Sequence, residues 1–197
     1  MDGDTRGTIR AVALELFSDK GFEQTSLREI AERVGLTKAS LYYHYPSKQA
    51  LLLAVVEPVI TGWRSIVDDT ARLGHDADSV RSVVERCLDV FLRNRSVAGI
   101  FQRDAAGVAV VLGSLWEDML DLGRRLVAWL AGPSPSTADR LRAIAAMEVL
   151  GAVLSSTTYQ GDEEFDEDEM RAVLSQAAMD VLRLTPEPVA SGMRKSV

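Results

Sequence analysis

Residues 25–48 read TSLREIAERVGLTKASLYYHYPSK, and the punctuation inside this stretch sets the architecture around it. Ser26 followed by Glu29 is a capping box: the hydroxyl takes the amide of Glu29 while the carboxylate reaches back to the amide of Ser26, so a helix starts here. Leu27, Ile30, Ala31 and Val34 then recur at i, i+3, i+4 and i+7, one apolar stripe on a helix of about two turns. Gly35 follows, able to take the left-handed conformation just beyond a helix end. Thr37 is a second N-cap, and Lys38 to Tyr43 form a second short helix with Leu41 as its inward residue. Two short helices about a glycine turn describe a helix-turn-helix, whose second helix is the element that enters a DNA major groove.

The outward residues of that second helix are Thr37, Lys38, Ala39, Ser40, Tyr42, Tyr43 and His44. They are donors, aromatics and small side chains, which suits base edges, thymine methyls and phosphates: small residues permit close approach, and Lys and Tyr reach the backbone. Tyr42 and His44 are assigned to phosphate and Tyr43 to the groove. Arg28, at the start of the first helix of the pair, has a donor fork long enough for a guanine or a phosphate. Lys48 begins the next helix, where the helix N-terminus favours an anion.

The same stretch resembles the DNA-binding domain of the tetracycline-repressor (TetR) family of bacterial regulators. The matching pattern begins with Ile9, Ala13, Leu16, Phe17, Gly21 and Phe22. It continues through Thr25, Arg28, Ile30, Ala31, Val34, Gly35, Thr37, Leu41, Tyr42, His44, Tyr45, Ser47, Lys48 and Leu51, with LYYHYPSK at 41–48 its most specific part. The resemblance covers the first quarter of the chain closely and the remainder only in length and helical character. It adds Thr25 to the DNA-binding set and puts Tyr45 in an aromatic packing slot. It further implies a homodimer on a near-palindromic double-stranded DNA operator and a small-molecule effector held in a C-terminal helical bundle.

The chain of 197 residues is long enough for a substantial core, with 47% hydrophobic and 26% charged residues, as in ordinary soluble globular proteins. Helix formers are plentiful and alternating strand patterns are missing, so an all-α fold of about nine helices is expected. Taken over the whole chain, the net charge of −7 opposes nucleic acid, since phosphate binding runs on Lys and Arg. Division of the chain removes the objection: residues 1–50 carry 7 Lys+Arg against 7 Asp+Glu, and residues 51–197 carry 15 against 22 and thus the whole deficit. An acidic second unit lowers non-specific sticking without touching the reading head. Residues 1–50 are therefore expected to form the DNA-binding domain and residues 51–197 the effector-binding and dimerisation domain.

The first helix is expected over Thr5–Asp19. The fourth should run from Lys48 to about Leu73, with a kink or break near Ala54–Glu57 because Pro58 removes a backbone donor. After a polar break at Gly74–Asp78 come helices at about Ser79–Arg93, Val97–Ala106, Val108–Leu130, Thr137–Tyr159 and Asp166–Leu184. An acidic connector, Gly161–Glu169, precedes the last of these, and Pro186 and Pro188 close it.

The helix near Ile144–Leu154 and the last helix are apolar around more of their circumference than one core face requires, which suggests an intersubunit four-helix bundle. Ala145, Leu150, Val153, Leu154, Leu174, Ala177, Ala178 and Val181 are its expected interface. Trp63, Phe91, Phe101, Trp116, Met119, Met147 and Tyr159 suit an apolar effector pocket, with Gln102 as a polar lining candidate. The expected ligand is hydrophobic or amphipathic.

Cys87 is the only cysteine, so no intrachain disulfide can form, and its apolar helical face reads as a buried structural thiol. The acidic run Asp162–Glu169 lacks the glycine and spacing of a calcium loop, so no metal and no cofactor are expected. No catalytic grouping with a credible nucleophile appears, and the chain is not expected to be an enzyme. The rival is a small-molecule-binding protein or enzyme whose helix-turn-helix is only structural. The N-terminus lacks a secretory apolar core, and the apolar run at Leu51–Ile60 is half a membrane span, so a cytoplasmic protein without membrane contact is expected.

Overall fold

Nine α-helices and no strand make up the described residues, 2–159 and 166–183, of the computed structural model: α1 (Asp2–Lys20), α2 (Leu27–Val34), α3 (Lys38–His44), α4 (Lys48–Thr70), α5 (Ala77–Arg93), α6 (Arg95–Leu112), α7 (Ser114–Leu130), α8 (Thr137–Tyr159) and α9 (Glu167–Leu182). The all-α expectation holds. Most of the acidic connector and the Pro186–Pro188 segment lie outside the described residues.

The first three helices close on one small core. Ile9, Ala13, Leu16 and Phe17 of α1 are buried with Leu27, Ile30 and Ala31 of α2 and Leu41 of α3. The ring of Phe22 meets that of Phe17 at 5.3 Å between centroids and seals the underside. The local signals sit where the sequence places them. The Ser26 hydroxyl accepts the Glu29 amide at 3.1 Å, and Gly35 ends α2 at φ 74°, the left-handed region in which a side chain is strained. The hydroxyls of Thr37 and Ser47 accept from the amides of Ser40 and Ala50 and start α3 and α4.

α4 joins this head to the rest, and it does so as one helix. Of the kink or break expected near Ala54–Glu57, the break does not occur, and Pro58 lies inside a continuous element. A proline in a helix interior costs about 3 kcal/mol. Leu51, Leu52, Val55, Val56, Ile60, Ile66 and Val67 are all buried along α4, at about 1.5–3 kcal/mol each, and that sum outweighs the lost bond. Among the described residues α4 alone is long and apolar enough to cross a membrane by composition, but its buried residues pack into the protein core.

The largest departure from expectation lies between α6 and α7. The sequence suggested a stop near Ala106, whereas α6 runs on to Leu112 and the chain turns at Gly113, with φ 56° and ψ −125°. That conformation is open to glycine and strained for other residues. Gly107 stays within α6, so of two similar glycines only the second is the hinge.

The body packs against the head through α6. Ser18 of α1 donates its hydroxyl to the carbonyl of Ser96 at 2.8 Å, and a Cβ on Gly99 would sit 3.1 Å from the Ser18 Cβ, so the two helices cross almost backbone to backbone. Gln49 at the start of α4 donates to the carbonyl of Val111 at 2.7 Å. Arg171 of α9 pairs with Asp89 of α5, and Arg86 of α5 donates to Asp69 of α4 at 2.7 Å. Cys87 is fully buried in α5, and burial pushes its thiol up to about 12, so it is a packing residue with negligible thiolate near neutrality.

α8 and α9 lie against each other, and here the expected dimer face needs correction. Leu150 and Ala178 are 0% exposed, turned into the core of the single chain. Leu174, Ala177 and Val181 are half-buried, Ala145 is exposed, and the side chains of Val153 and Leu154 lie outside the described residues. The apolar residues that face outward are Leu141 and Ile144 on α8 and Val173 on α9. Apolar patterning alone could not separate two faces on helices that are apolar nearly all round.

Candidate nucleic-acid interface and effector cavity

α3 turns Leu41 inward at 0% exposure and thereby aims its other faces at solvent. Tyr43 is 80% exposed and Tyr42 42%. Lys38 and Ala39 are exposed beside them, Ser40 and His44 are half-buried, and the Lys38 ammonium lies 5.6 Å over the Tyr42 ring. Tyr43 meets the edge of His44 at 5.4 Å. The hydroxyls of Thr37 and Ser40 are 2.8 Å apart and share one hydrogen bond, which fixes the first turn of the helix. The result is a short rod with one buried anchor and a convex face of a cation, small residues and two phenols, a shape that suits the major groove.

The far end of the rod is strapped to α1. Arg6 donates to the carbonyl of His44 at 3.1 Å, its guanidinium lies 5.7 Å over the Tyr45 ring, and the Tyr45 hydroxyl reaches the carbonyl of Arg6 at 3.4 Å. Tyr45 is buried, as the resemblance implied for that position. Arg6 escaped the sequence reading because an arginine in the first turns of a helix looks like an ordinary surface residue.

Two residues expected on DNA are taken up inside the protein. Thr25 is 1% exposed, and its hydroxyl lies 3.1 Å from the carbonyl of Leu16 and 2.9 Å from that of Gly21, shared between two acceptors at the C-terminus of α1. The Lys48 ammonium donates to the carbonyls of Phe22 and Glu23 at 2.8 and 3.2 Å and sits 4.3 Å over the Phe22 ring. Carbonyls left open past a helix end draw such a cation as readily as a phosphate does. Arg28 is exposed, with Glu32 as partner at 2.7 Å; that hydrogen bond and charge raise the guanidinium's pKa. Such an exposed pair is weak and is readily exchanged for a phosphate.

A second feature lies in the body. A pocket of about 150 Å³, open to solvent on one side, is lined by Val59 and Trp63 of α4 and Val90 and Phe91 of α5. Asn94, Val97, Ala98 and Phe101 complete it from the α6 side and Met119 from α7. Trp63 and Phe91 meet edge to face at 5.0 Å, and Phe101 packs on Trp116 at 5.8 Å. Of the expected pocket residues, Trp63, Phe91, Phe101 and Met119 are therefore brought together, with Trp116 behind them. Met147 packs against the core away from this lining, and the side chains of Gln102 and Tyr159 lie outside the described residues. Asn94, the one polar residue lining the space, was missed, since an asparagine between two helices reads as a cap. Asn94 and Val97 also face a second groove, against Gly7, Arg10 and Leu14 of α1. Among the described residues no cluster of three metal-ligating side chains occurs.

An outward-facing second helix in an all-α head, carried on a bundle with an apolar cavity, defines the class of helix-turn-helix transcriptional regulators. The profile described as bacterial regulatory proteins, tetR family, matches residues 9–55. The chain is 30% identical over 168 residues to the tetracycline repressor protein class C of Escherichia coli, covering 84% of this chain and 72% of that protein. It is also 30% identical over 176 residues to the HTH-type transcriptional activator FasR of Mycolicibacterium smegmatis, covering 84% and 77%. A transcriptional regulator of the TerR/AcrR family from Aquifex aeolicus superposes with a TM-score of 0.66 at 24% identity, covering 88% of this chain and 96% of that one. The chain belongs to the TetR family, and it is a DNA-binding transcriptional regulator.

Proposed function

We propose that the protein is an effector-responsive repressor. It binds a near-palindromic operator as a homodimer through Arg28, Thr37, Lys38, Ala39, Ser40, Tyr42, Tyr43 and His44, and it is released when a small molecule enters the α4–α7 cavity. Residues 1–50 form the reading domain and residues 51–197 the sensing and pairing domain, and the protein works in the cytoplasm. The observation that carries the reading is the exposure of Tyr43 and Lys38 on a helix whose opposite side is locked down by Leu41. A purely structural helix-turn-helix gains nothing from an 80% exposed tyrosine, so the rival enzyme reading is not favoured.

The unpartnered residues Leu141, Ile144, Ala145 and Val173 support pairing through α8 and α9, because a two-fold axis there buries the same patch on both copies. The cavity supports regulation because Asn94 and Val97 sit between it and the groove against α1, so a ligand that moves them pushes on the head. Two heads must match one turn of DNA, about 34–36 Å, and a shift of a few ångströms ends the fit. Likeness to a repressor protein supports repression as the sign of regulation.

The test is footprinting on the DNA upstream of the protein's own gene at two salt concentrations. Two protected stretches one helical turn apart, weakening as salt rises, are expected. Binding without sequence preference at both salts overturns the reading.

A further inference from the structure

Resting on the effector reading above, we propose that the α4–α7 cavity selects a compact, uncharged, single-ring aromatic ligand bearing one hydroxyl, a molecule of the phenol class. The first argument is size. A space of about 150 Å³ matches in size a core cavity known to hold a benzene-sized molecule, and a fatty acyl chain would leave most of its length outside it, in solvent.

The second argument is charge. Among the described residues no ionisable side chain lines the pocket, and Arg93, the neighbour of Asn94, lines the separate groove against α1 instead. A carboxylate or ammonium seated here would lose part of its water and find no charged partner among them, so a charged ligand is disfavoured.

The third argument is the chemistry of the walls. Trp63 and Phe91 already stand edge to face at 73°, Phe101 adds a further ring, and Met119 brings a thioether. Aromatic edges, faces and sulfur prefer another ring over a flexible chain. The single polar feature then fixes the substituent. Asn94 donates its amide nitrogen to the carbonyl of Val90 at 2.8 Å, which orients the carboxamide and leaves its carbonyl oxygen, reached by solvent rather than buried, to accept from a ligand. An unpaired acceptor at the edge of an apolar space wants a donor, and a ligand hydroxyl supplies one.

Binding of phenol, toluene, benzoate and decanoate to the full chain is read by calorimetry and by tryptophan fluorescence, with release from operator DNA measured in parallel. Phenol is expected to bind about five-fold more tightly than toluene, the worth of one hydrogen bond, and at least about ten-fold more tightly than benzoate. Ala98→Leu and, separately, Val59→Phe fill the cavity, and either variant that retains the parent melting profile is expected to lose phenol binding. Benzoate or decanoate binding more tightly than phenol, and lost on filling, overturns the ligand class while leaving the cavity as the effector site. Toluene equal to phenol overturns the role given to Asn94. Phenol binding that survives filling in a folded variant removes the cavity itself and the effector reading with it.

Discussion

The head formed by α1 to α3 and the body formed by α4 to α9 are held together by different means. In the head, almost every polar side chain near the core has a fixed partner: Thr25 on the end of α1, Lys48 on the carbonyls of Phe22 and Glu23, and Arg6 on the carbonyl of His44. Its helices α2 and α3, and α4 that leaves it, start on the neutral hydroxyls of Ser26, Thr37 and Ser47. In the body, α5 and α9 start on the carboxylates of Asp76 and Asp166, and an apolar pocket opens among aromatic rings. A reading surface must keep its geometry, and hydrogen bonds, being directional, impose one. A sensing bundle must yield, and apolar contacts tolerate displacement. The caps tell the same story, since a carboxylate beside the reading helix would repel the phosphates it must approach.

The contrast can be broken most forcefully at Phe17, fully buried and stacked on Phe22. Phe17→Ala is expected to destabilise the protein by about 3–5 kcal/mol, measured by urea denaturation, with operator affinity falling only because less folded protein remains. Thr25→Val keeps the shape and removes the hydroxyl. It is expected to cost about 1–3 kcal/mol through the unsatisfied carbonyls, while the folded fraction binds operator as before; a specific loss of affinity at unchanged stability would return Thr25 to the DNA surface. Lys38→Ala is the converse, with stability within about 0.5 kcal/mol of the parent. Its slope of log affinity against log salt is expected to become shallower by about one unit.

The finest test is acid. Hydrogen bonds from the Ser79 amide and hydroxyl hold the Asp76 carboxyl below its usual pKa, and those from the Ser136 hydroxyl and amide do the same for Asp139. A lowered carboxyl contributes stability that is present above its unfolded pKa, about 4, and is lost as the pH falls through the folded value. Glu29 in the head is lowered too, mainly by its hydrogen bond to Lys20, but the Ser26 hydroxyl that caps α2 does not titrate there. Amide exchange between pH 5 and 3 is therefore expected to show the first turns of α5 and α8 loosening before those of α2 and α3.

The same division governs how much could be read from the chain. Ser26, Gly35 and Thr37 each bond a partner within four residues along the chain, so α2, its turn and α3 were legible from spacing alone. The exposure of Tyr43 followed once Leu41 was taken as the anchor. The body resisted because its choices are made by distant partners. Gly107 and Gly113 are alike in sequence, and only packing selects the second as the turn between α6 and α7. Leu150 and Leu141 are alike in chemistry, and only the position of α9 and α5 decides which of them is covered. Thr25 and Lys48 have the composition of DNA contacts, and nothing local announces that carbonyls of the first helix end reach them first.

The crossing of α1 over α6 carries one more consequence. Where Gly99 lies against Ser18, the clearance is smaller than a methyl group, so the joint works like a bearing ground to zero play. A single alanine there is a thin shim: Ser18 must give by a few tenths of an ångström to admit it, so residue 99 sets how tightly the reading unit seats on the body.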